Sequence, residues 1–281
     1  EMAIIEMGAN HQKEIEALCK IAEPDYGYIT NFGKAHLEGF GGIEGVIKGK
    51  SELYSYLEKN NRKALLNFDD PLQKKKADAL DSHSFGFNEA ADYIFENSTK
   101  ECVQFSINGI EINTHLIGSY NLTNVCSAVA FGLWFEADIK AIKKACEAYI
   151  PNMNRSELVS TENNQLIMDA YNANPTSMAM SINNFSSSNF GNKLMILGDM
   201  FELGKYSKAE HKAISELVKD TGIETLYVGE EFHNCKLYLR TKSFKSMQEL
   251  LNHLAELNLT DRTVLLKGSR GIGLEKAKEY L

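Results

Sequence analysis

A lysine in a glycine-containing stretch is the first feature of the chain that indicates chemistry. The segment GGIEGVIKGKSEL, residues 41–53, presents Gly45, Gly49, Lys50 and Ser51 in the order of an ATPase phosphate loop. That motif, G-x-x-x-x-G-K-[ST], follows a buried strand. Here only three residues separate the glycines, and the preceding HLEGFGG is polar and glycine-rich. The spacing therefore argues against a phosphate loop at this position.

Helical spacing accounts better for the same stretch. Apolar residues and one lysine recur here at alternating steps of four and three, so they are predicted to share one face of a helix. These residues are Ile43, Ile47, Lys50, Tyr54 and Leu57. A lysine on the apolar face loses hydration, which lowers its pKa and can leave a neutral, nucleophilic amine. The alternative is a lysine whose stem follows the edge of the buried stripe while its ammonium group stays in water.

Two further side chains follow predicted strands. Glu6 ends the apolar segment AIIE, and His36 follows YITNF. Parallel sheets place ligands at the carboxyl ends of their strands, so Glu6, His36 and Lys50 could converge on a metal-phosphate centre. A free ammonium group would repel magnesium, whereas a lysine carboxylated by carbon dioxide would supply a carboxylate ligand. The ordinary alternatives are a solvated or helix-capping glutamate and a loop histidine.

Asparagines mark the start of an apolar helix in GSYNLTNVCSAVAFGLWF. Asn121 and Asn124 are three residues apart there. Asparagine caps helices well, so capping is one interpretation. The side-chain amides also carry a donor and an acceptor each, which suits recognition of a base. Both interpretations stay open at this point.

A second polar cluster lies in MDAYNANPTSM. Asp169 ends an apolar strand, and Pro175 is placed for the first turn of a helix. Between them, Tyr171, Asn172 and Asn174 bring more hydrogen-bonding groups than a plain turn needs. The sequence therefore predicts a ligand site at this strand-to-helix crossing.

Strand-like and helix-like segments alternate in both halves of the chain, which is typical of parallel α/β sheets. A run of short strands from about 91 to 116 interrupts the first series. The segment PNMNRSE then leaves the helices that precede Pro151, and it predicts a domain boundary at about 151–155. The second half has the length and pattern of one doubly wound, Rossmann-like domain.

Composition and charge argue against several classes of protein. A net charge of -8 and the absence of a lysine/arginine block argue against a nucleic-acid partner. The five cysteines show no metal-finger spacing and fit reduced thiols of a cytoplasmic protein. No apolar run is long enough for membrane insertion, and we expect no signal peptide because no basic-then-apolar segment occurs. The opening EMAIIEMG reads as the inside of a strand, so we expect further sequence upstream.

Taken together, these motifs resemble those of the Mur ligase family. The similar segments occur in the family's order along nearly the whole chain, and they are EMGANHQKEI, NFGKAHLEGFGG, the Lys50 helix, MDAYNANPTSM, LGDMFELG and KGSRG. DAYNANP together with LGDM and ELG is similar to one branch of the family. That branch adds D-alanyl-D-alanine to UDP-MurNAc-tripeptide.

The resemblance implies an α/β fold in two parts. Residues 1–152 would be the remainder of a central parallel-sheet ATPase domain, and residues 153–281 a Rossmann-like carboxyl-terminal domain. The family's amino-terminal domain and true phosphate loop would precede Glu1. The implied cofactors are ATP and Mg²⁺, with Glu6, His36 and a carbamylated Lys50 as metal ligands, and with Lys50 and His36 in catalysis.

The resemblance also implies nucleotide contacts. On the adenine side it implies Asn121 and Asn124, although Tyr120 stands where the family often has a histidine. From the second domain it implies Arg155 and Asp169. The weaker matches, expected near the cleft between the domains, are Tyr171, Asn172, Asn174, Lys267 and Arg270.

The implied reaction is ATP-dependent amide formation through an acyl phosphate, carried out by a cytoplasmic monomer. Two alternatives stay open. The chain could be a folded binding module without catalytic activity, or it could belong to another amide ligase of the superfamily, such as folylpolyglutamate synthase.

Overall fold

A computed structural model describes residues 2–99 and 101–281. The chain divides into two compact units. The amino-terminal unit comprises the residues up to Thr114 together with Ser119–Tyr149. The carboxyl-terminal unit comprises His115–Gly118 and Ile150–Leu281. The two units are described separately below.

The amino-terminal unit contains a four-stranded parallel sheet of order β1-β2-β3-β4. A three-stranded sheet of order β5-β6-β7 follows it along the chain. Its strands are β1 (Tyr26–Tyr28), β2 (Lys63–Asn67), β3 (Ser82–Gly86), β4 (Tyr93–Ile94), β5 (Glu96–Asn97), β6 (Cys102–Ile107) and β7 (Ile110–Ile117). Its helices are α1 (Glu14–Ala22), α2 (Leu37–Phe40), α3 (Ile43–Lys59), α4 (Pro71–Lys76), α5 (Tyr120–Trp134) and α6 (Ile139–Ala148).

The long helix α3 packs against the parallel sheet. Tyr54 and Leu57 from α3 join Ala64 and Leu66 from β2 in one buried apolar cluster. Tyr54 and Leu57 share a face of the helix because they are three residues apart. Ala64 and Leu66 share a side of the strand because they are two residues apart. The predicted helix at this position is confirmed. Its packing places the middle of α3 beside the end of β1.

The prediction of a strand at residues 2–7 is wrong. The backbone there is irregular, and residues 2–6 are exposed. The strand β1 lies at the outside of its sheet, and no described strand pairs with residues 2–7. Apolar composition alone does not make a strand, because backbone N–H and C=O groups need a neighbouring strand to bond to.

The carboxyl-terminal unit contains a six-stranded sheet of order β12-β11-β10-β13-β9-β8, in which only β8 is antiparallel to its neighbour. Its strands are β8 (Glu157–Ser160), β9 (Gln165–Asp169), β10 (Lys193–Gly198), β11 (Glu224–Val228), β12 (Thr241–Phe244) and β13 (Thr263–Lys267). Its α-helices are α7 (Pro175–Ser187), α8 (Ser207–Thr221), α9 (Glu230–His233) and α10 (Met247–Leu257). Three short 3-10 helices cover Gly204–Tyr206, Arg270–Ile272 and Leu274–Tyr280.

The last strand of the chain occupies the middle of this sheet. Every residue of β13 is buried, as expected for a strand that is covered on both faces. Its end, Lys267, is in register with Asp169 of β9 and with Leu197 of β10. The loops that follow β9, β13 and β10 therefore begin side by side at one edge of the sheet. The α/β fold with a Rossmann-like second half is confirmed.

No described helix combines the length and the apolar character that a membrane crossing requires.

Candidate functional site

The glycines around Lys50 pack helices together. All four residues of the apparent phosphate-loop order, Gly45, Gly49, Lys50 and Ser51, lie inside α3. A Cβ atom at position 45 would lie 1.8 Å from the carbonyl oxygen of Phe40, and one at position 49 would lie 2.4 Å from the Phe40 ring. These glycines therefore allow α2 to approach α3, and the backbone forms no phosphate-binding loop here.

The buried face of α3 is rotated from the predicted one. Tyr54 and Leu57 are buried as expected, but Ile43 is exposed and Val46 is fully buried in its place. Lys50 is half-buried at the edge of this face. Gly45 and Gly49 admit Phe40 of α2 against this helix, a tertiary contact that periodicity alone does not reveal.

Lys50 reaches back to the segment after β1. Its Nζ donates to the backbone carbonyl oxygen of Asn31 at 2.7 Å, and the Asn31 side-chain oxygen lies 3.5 Å away. Both described acceptors are neutral. Burial lowers the pKa of Lys50 below its ordinary value, because the charged form loses hydration without a carboxylate to compensate. A neutral amine is therefore easier to reach here than at an exposed lysine.

The other two predicted metal ligands sit on short or irregular segments. Glu6 is exposed on the irregular backbone of residues 2–9, not at the end of a strand. His36 precedes α2 with a left-handed backbone (φ 51°), and its Nδ1 is buried. In residues 2–99 and 101–281, no group of three or more His, Cys, Asp or Glu side chains is arranged to hold a metal ion.

Asn121 and Asn124 lie within the first turns of α5. The residue before the helix is Ser119, so neither asparagine occupies the capping position. The amide of Asn124 points toward the Asn121 side-chain oxygen at 3.4 Å, and Asn124 is exposed. Tyr120 begins the helix. Capping is thus excluded as the role of these two side chains, while recognition of a base stays a prediction.

In the carboxyl-terminal unit, the ends of β9 and β13 are joined by a buried ion pair. Lys267 Nζ lies 3.0 Å from Asp169 Oδ2, and the two residues are only 3% and 8% exposed. Ser181 from α7 donates a hydrogen bond to the same Oδ2 at 2.6 Å. Lys267 also donates to the backbone oxygen of Asn172 at 3.1 Å. The lysine therefore holds the loop after β9 against the end of β13.

Asn172 and Asn174 play different local roles in that loop. The Asn172 side-chain oxygen accepts from the N–H of Ala173, and Asn172 itself is exposed. Asn174 is the N-cap of α7, and it exchanges hydrogen bonds with Ser177 in a capping box. Pro175 occupies the first turn. Asn174 thus fixes where the helix begins, and Asn172 presents its amide to solvent at the edge of the sheet.

Tyr171 brings two arginines from distant parts of the sequence together. The guanidinium carbon of Arg155 lies 3.8 Å from the centre of the Tyr171 ring, and that of Arg270 lies 5.6 Å from it. Both arginines are exposed. The seven predicted site residues of this unit thus end β9 and β13 (Asp169, Lys267), follow those strands (Tyr171, Asn172, Asn174, Arg270) or precede β8 (Arg155).

A buried carboxylate beside these loops was missed by the sequence analysis. Asp199 follows β10, is 3% exposed, and accepts from the N–H groups of Glu231 and Phe232 at 2.9 Å each. Burial raises the pKa of the Asp199 carboxyl, and the two backbone donors partly oppose that change. The aspartate of LGDM, at the end of an apolar strand, was the available signal for it.

His211 and Ser269 hold the loop that follows Asp199. The fully buried His211 accepts at Nε2 from the N–H of Met200 at 3.0 Å, and Ser269 Oγ accepts from the N–H of Phe201 at 2.9 Å. The N–H of Ser269 donates to the Asp199 carbonyl oxygen. The loops after β10 and β13 are therefore tied together. No sequence signal pointed to His211, since its partner is a backbone group.

Two family models match the chain. The Mur ligase middle domain matches residues 1–132, and the Mur ligase glutamate ligase domain matches residues 154–270. Among curated proteins, the UDP-N-acetylmuramoyl-tripeptide--D-alanyl-D-alanine ligase of Bacillus subtilis is 30% identical over 98% of this chain and 63% of its own length. The enzyme of the same name from Escherichia coli is 29% identical over 100% of this chain and 65% of its own length.

Solved structures agree with these matches. MurF from Acinetobacter baumannii is 28% identical and superposes with a TM-score of 0.84 over 96% of this chain and 62% of its own. MurF from Thermotoga maritima in complex with ADP shares the fold, with a TM-score of 0.83 at 24% identity over 98% of this chain and 65% of its own. The chain spans less than two thirds of the length of these relatives. With both family domains matched in order and relatives aligned along nearly all of it, the chain belongs to the Mur ligase family.

Proposed function

We propose that this chain is the ATPase and carboxyl-terminal part of a ligase that joins D-alanyl-D-alanine to UDP-MurNAc-tripeptide with hydrolysis of ATP. The relatives named for this reaction align over nearly the whole chain, and this observation carries the proposal. The arrangement of the carboxyl-terminal unit supports it, since the edge of the sheet gathers two exposed arginines and an exposed amide. Such groups suit anionic substrates.

The proposed reaction has two chemical steps. A carboxylate oxygen of the tripeptide forms a bond to the γ-phosphorus of ATP while the bond to the leaving ADP breaks. The amine of D-alanyl-D-alanine then attacks the acyl carbon, phosphate leaves, and the nitrogen loses a proton. Arg155 and Arg270 would offset negative charge on the phosphate oxygens, and Asn121 and Asn124 would contact the adenine. The protein acts, in this proposal, as a cytoplasmic monomer.

Lys50 fits a carbamylated, magnesium-binding role on chemical grounds. Carbon dioxide adds only to a neutral amine, and burial lowers the pKa of this amine. The carbamate would supply the carboxylate that the described residues do not gather by themselves. Magnesium needs few protein ligands when substrate phosphates supply the rest, so the carbamate of Lys50 would hold it together with phosphate oxygens and with His36 and Glu6, the ligands that the family resemblance implies. Bound there, the ion would offset charge between carboxylate and phosphate.

Replacing Lys50 tests this role. In the protein as its gene encodes it, Lys50→Ala is expected to lower kcat/KM for D-alanyl-D-alanine-dependent phosphate release by about 100-fold. Added bicarbonate is not expected to restore turnover, because the carbamate has no amine to form on. Lys48→Ala is the matched control, since Lys48 is an exposed lysine on the same helix. Near-normal turnover of Lys50→Ala removes this residue from the mechanism.

Competing substrates test the reaction itself. Phosphate release that depends on D-alanyl-D-alanine and UDP-MurNAc-tripeptide supports the proposal. Release that depends on glutamate with a folate assigns the chain to a folylpolyglutamate synthase instead. An ATP titration of residues 1–281 alone decides whether they bind nucleotide. Sub-millimolar binding with phosphate release contradicts the hypothesis that the chain is a binding module without catalytic activity.

A further inference from the structure

Tyr171 occupies an unusual position between chain segments. It follows β9, whereas Arg155 precedes β8 and Arg270 follows β13. The two guanidinium carbons lie 3.8 and 5.6 Å from the centre of one ring, inside the distance at which an aromatic ring attracts a cation. The ring is half-buried, which reduces its competition with water. It is therefore the common contact of two basic side chains that the sequence separates.

No described carboxylate pairs with either arginine. In the described part of the chain, no ion pair involves Arg155 or Arg270, although the protein carries an excess of acidic residues. Both side chains are exposed. Two guanidinium groups over the same ring repel each other, so this arrangement favours an oxyanion that both can contact.

The backbone also fixes Arg155 relative to Tyr171. The N–H of Tyr171 donates to the carbonyl oxygen of Asn154 at 3.2 Å. Asn154 and Ser156, on either side of Arg155, both have left-handed backbones, with φ of 58° and 55°. The segment around Arg155 is thus bonded to Tyr171 by backbone as well as by side chain, and the ring determines where the guanidinium group lies.

We propose that Tyr171 is a positioning residue that holds Arg155 and Arg270 as a paired site for one substrate oxyanion. This inference rests on the proposed function only for the source of the oxyanion, which is either a nucleotide phosphate or a peptide carboxylate. The ring acts through the two arginines rather than by touching the substrate. The tyrosine hydroxyl has no part in it.

The first experiment compares three variants in binding of inorganic tripolyphosphate, measured by calorimetry on the protein as encoded. Tyr171→Leu is expected to weaken binding about tenfold, the size of one partly desolvated cation–ring contact. Tyr171→Phe keeps the ring and is expected to bind as the unmodified protein does. Tyr238→Leu is the matched control, since that half-buried ring also lies near two cations, Lys219 at 5.5 Å and Lys236 at 5.4 Å.

A double-mutant cycle separates positioning from direct contact. If Tyr171 acts through Arg155, then Tyr171→Leu adds little to the loss already caused by Arg155→Ala. Fully additive losses overturn the proposal, as does a Tyr171→Phe variant that is as weak as Tyr171→Leu. Failure of the unmodified protein to bind tripolyphosphate in a salt-sensitive manner overturns it as well.

Two further readouts complete the test. The side-chain NMR signals of Arg155 should carry a ring-current shift that is lost in Tyr171→Leu and kept in Tyr171→Phe, and an unchanged spectrum contradicts the contact. In steady-state assays, a rise in KM for ATP alone assigns the oxyanion to the nucleotide, and a rise for D-alanyl-D-alanine or the tripeptide assigns it to a carboxylate. The calorimetric and NMR measurements require no turnover. They therefore test the role of Tyr171 even if the chain does not belong to the proposed ligase.

Discussion

Lys50 and Lys267 are two lysines that the fold draws away from water, and their partners differ in charge. Lys267 is 3% exposed and lies 3.0 Å from a carboxylate oxygen of Asp169. The described acceptors of Lys50 are the two neutral oxygens of Asn31, and burial lowers its pKa. The carboxylate of Asp169 thus offsets the burial of Lys267, whereas the amide oxygens of Asn31 offer Lys50 no opposite charge.

The difference separates a structural lysine from a chemically available one. Lys267 connects the ends of two strands, and its removal would leave the Asp169 charge buried without a cation. Removal of Lys50 should destabilise the protein less, because water can bind the backbone oxygen of Asn31 in place of the lysine. We therefore expect Lys267 to govern stability and Lys50 to govern chemistry.

The largest expected effect is that of Lys267→Met. It should lower the free energy of unfolding of the carboxyl-terminal unit by about 3–5 kcal/mol, because one partner of a buried ion pair is removed. Urea unfolding measures it, with the exposed Lys208→Met as control. Adding Asp169→Asn should recover part of the loss. A Lys267→Met variant as stable as the unmodified protein would abolish the distinction between the two lysines.

Gly45→Ala tests whether helix contacts set the position of Lys50. Alanine normally stabilises a helix relative to glycine, by about 1 kcal/mol. Here the added Cβ would lie 1.8 Å from the Phe40 carbonyl oxygen. We expect destabilisation near the upper end of the roughly 1–3 kcal/mol that overpacking costs. Thermal unfolding is the measurement, and Gly8→Ala, where no atom lies within 4 Å, is the control. Stabilisation instead would show that α2 shifts freely.

Ser181→Ala sharpens the description of the Lys267 network. It removes the hydroxyl that donates to Asp169 Oδ2 at 2.6 Å. A donor lost from a buried carboxylate should lower the free energy of unfolding by about 1–3 kcal/mol. Ser187→Ala, an exposed serine on the same helix, provides the comparison in the same urea experiment. Equal effects of the two substitutions would mean that Lys267 alone satisfies Asp169.

The smallest effect concerns the pH dependence at Lys50. Its folded-state pKa lies below the ordinary 10.5, so the unfolded chain binds more protons between those two values. Stability from this group should therefore rise with pH through that window. Lys50→Met should abolish the rise and change stability near neutral pH by less than about 1 kcal/mol. Urea unfolding across the alkaline range, in buffer free of carbon dioxide, compares the two proteins. Parallel pH profiles would contradict a lowered pKa.

Much of the fold could be predicted because local patterns and tertiary packing agree. Pro175 has a clear local signal for the first turn of a helix, and α7 begins there as expected. The strand predicted through Glu6 failed, because its hydrogen bonds depend on a neighbouring strand that the described residues do not provide. The predicted apolar face of α3 was wrong at Ile43, which is exposed while Val46 is buried, because tertiary packing rather than spacing decides which side of the helix is covered.

For the site, residue types and order along the chain determined which groups were candidates. They identified Asp169 and Tyr171 as polar residues at or just after a strand end, and they connected the motifs to a family whose resemblance implied Arg155. The order of the strands decided which of these groups meet. Placing β13 between β9 and β10 brings Lys267 to Asp169 and Arg270 to Tyr171, across about a hundred residues of chain.

Local spacing and motif order are enough to assign the α/β class and the family and to place many of the helices and strands. The tertiary packing shows which lysine is paired, which glycines are packing contacts and which ring the two arginines contact. Charge pairing and desolvation depend on distances between residues far apart in the chain, and no local pattern contains those distances.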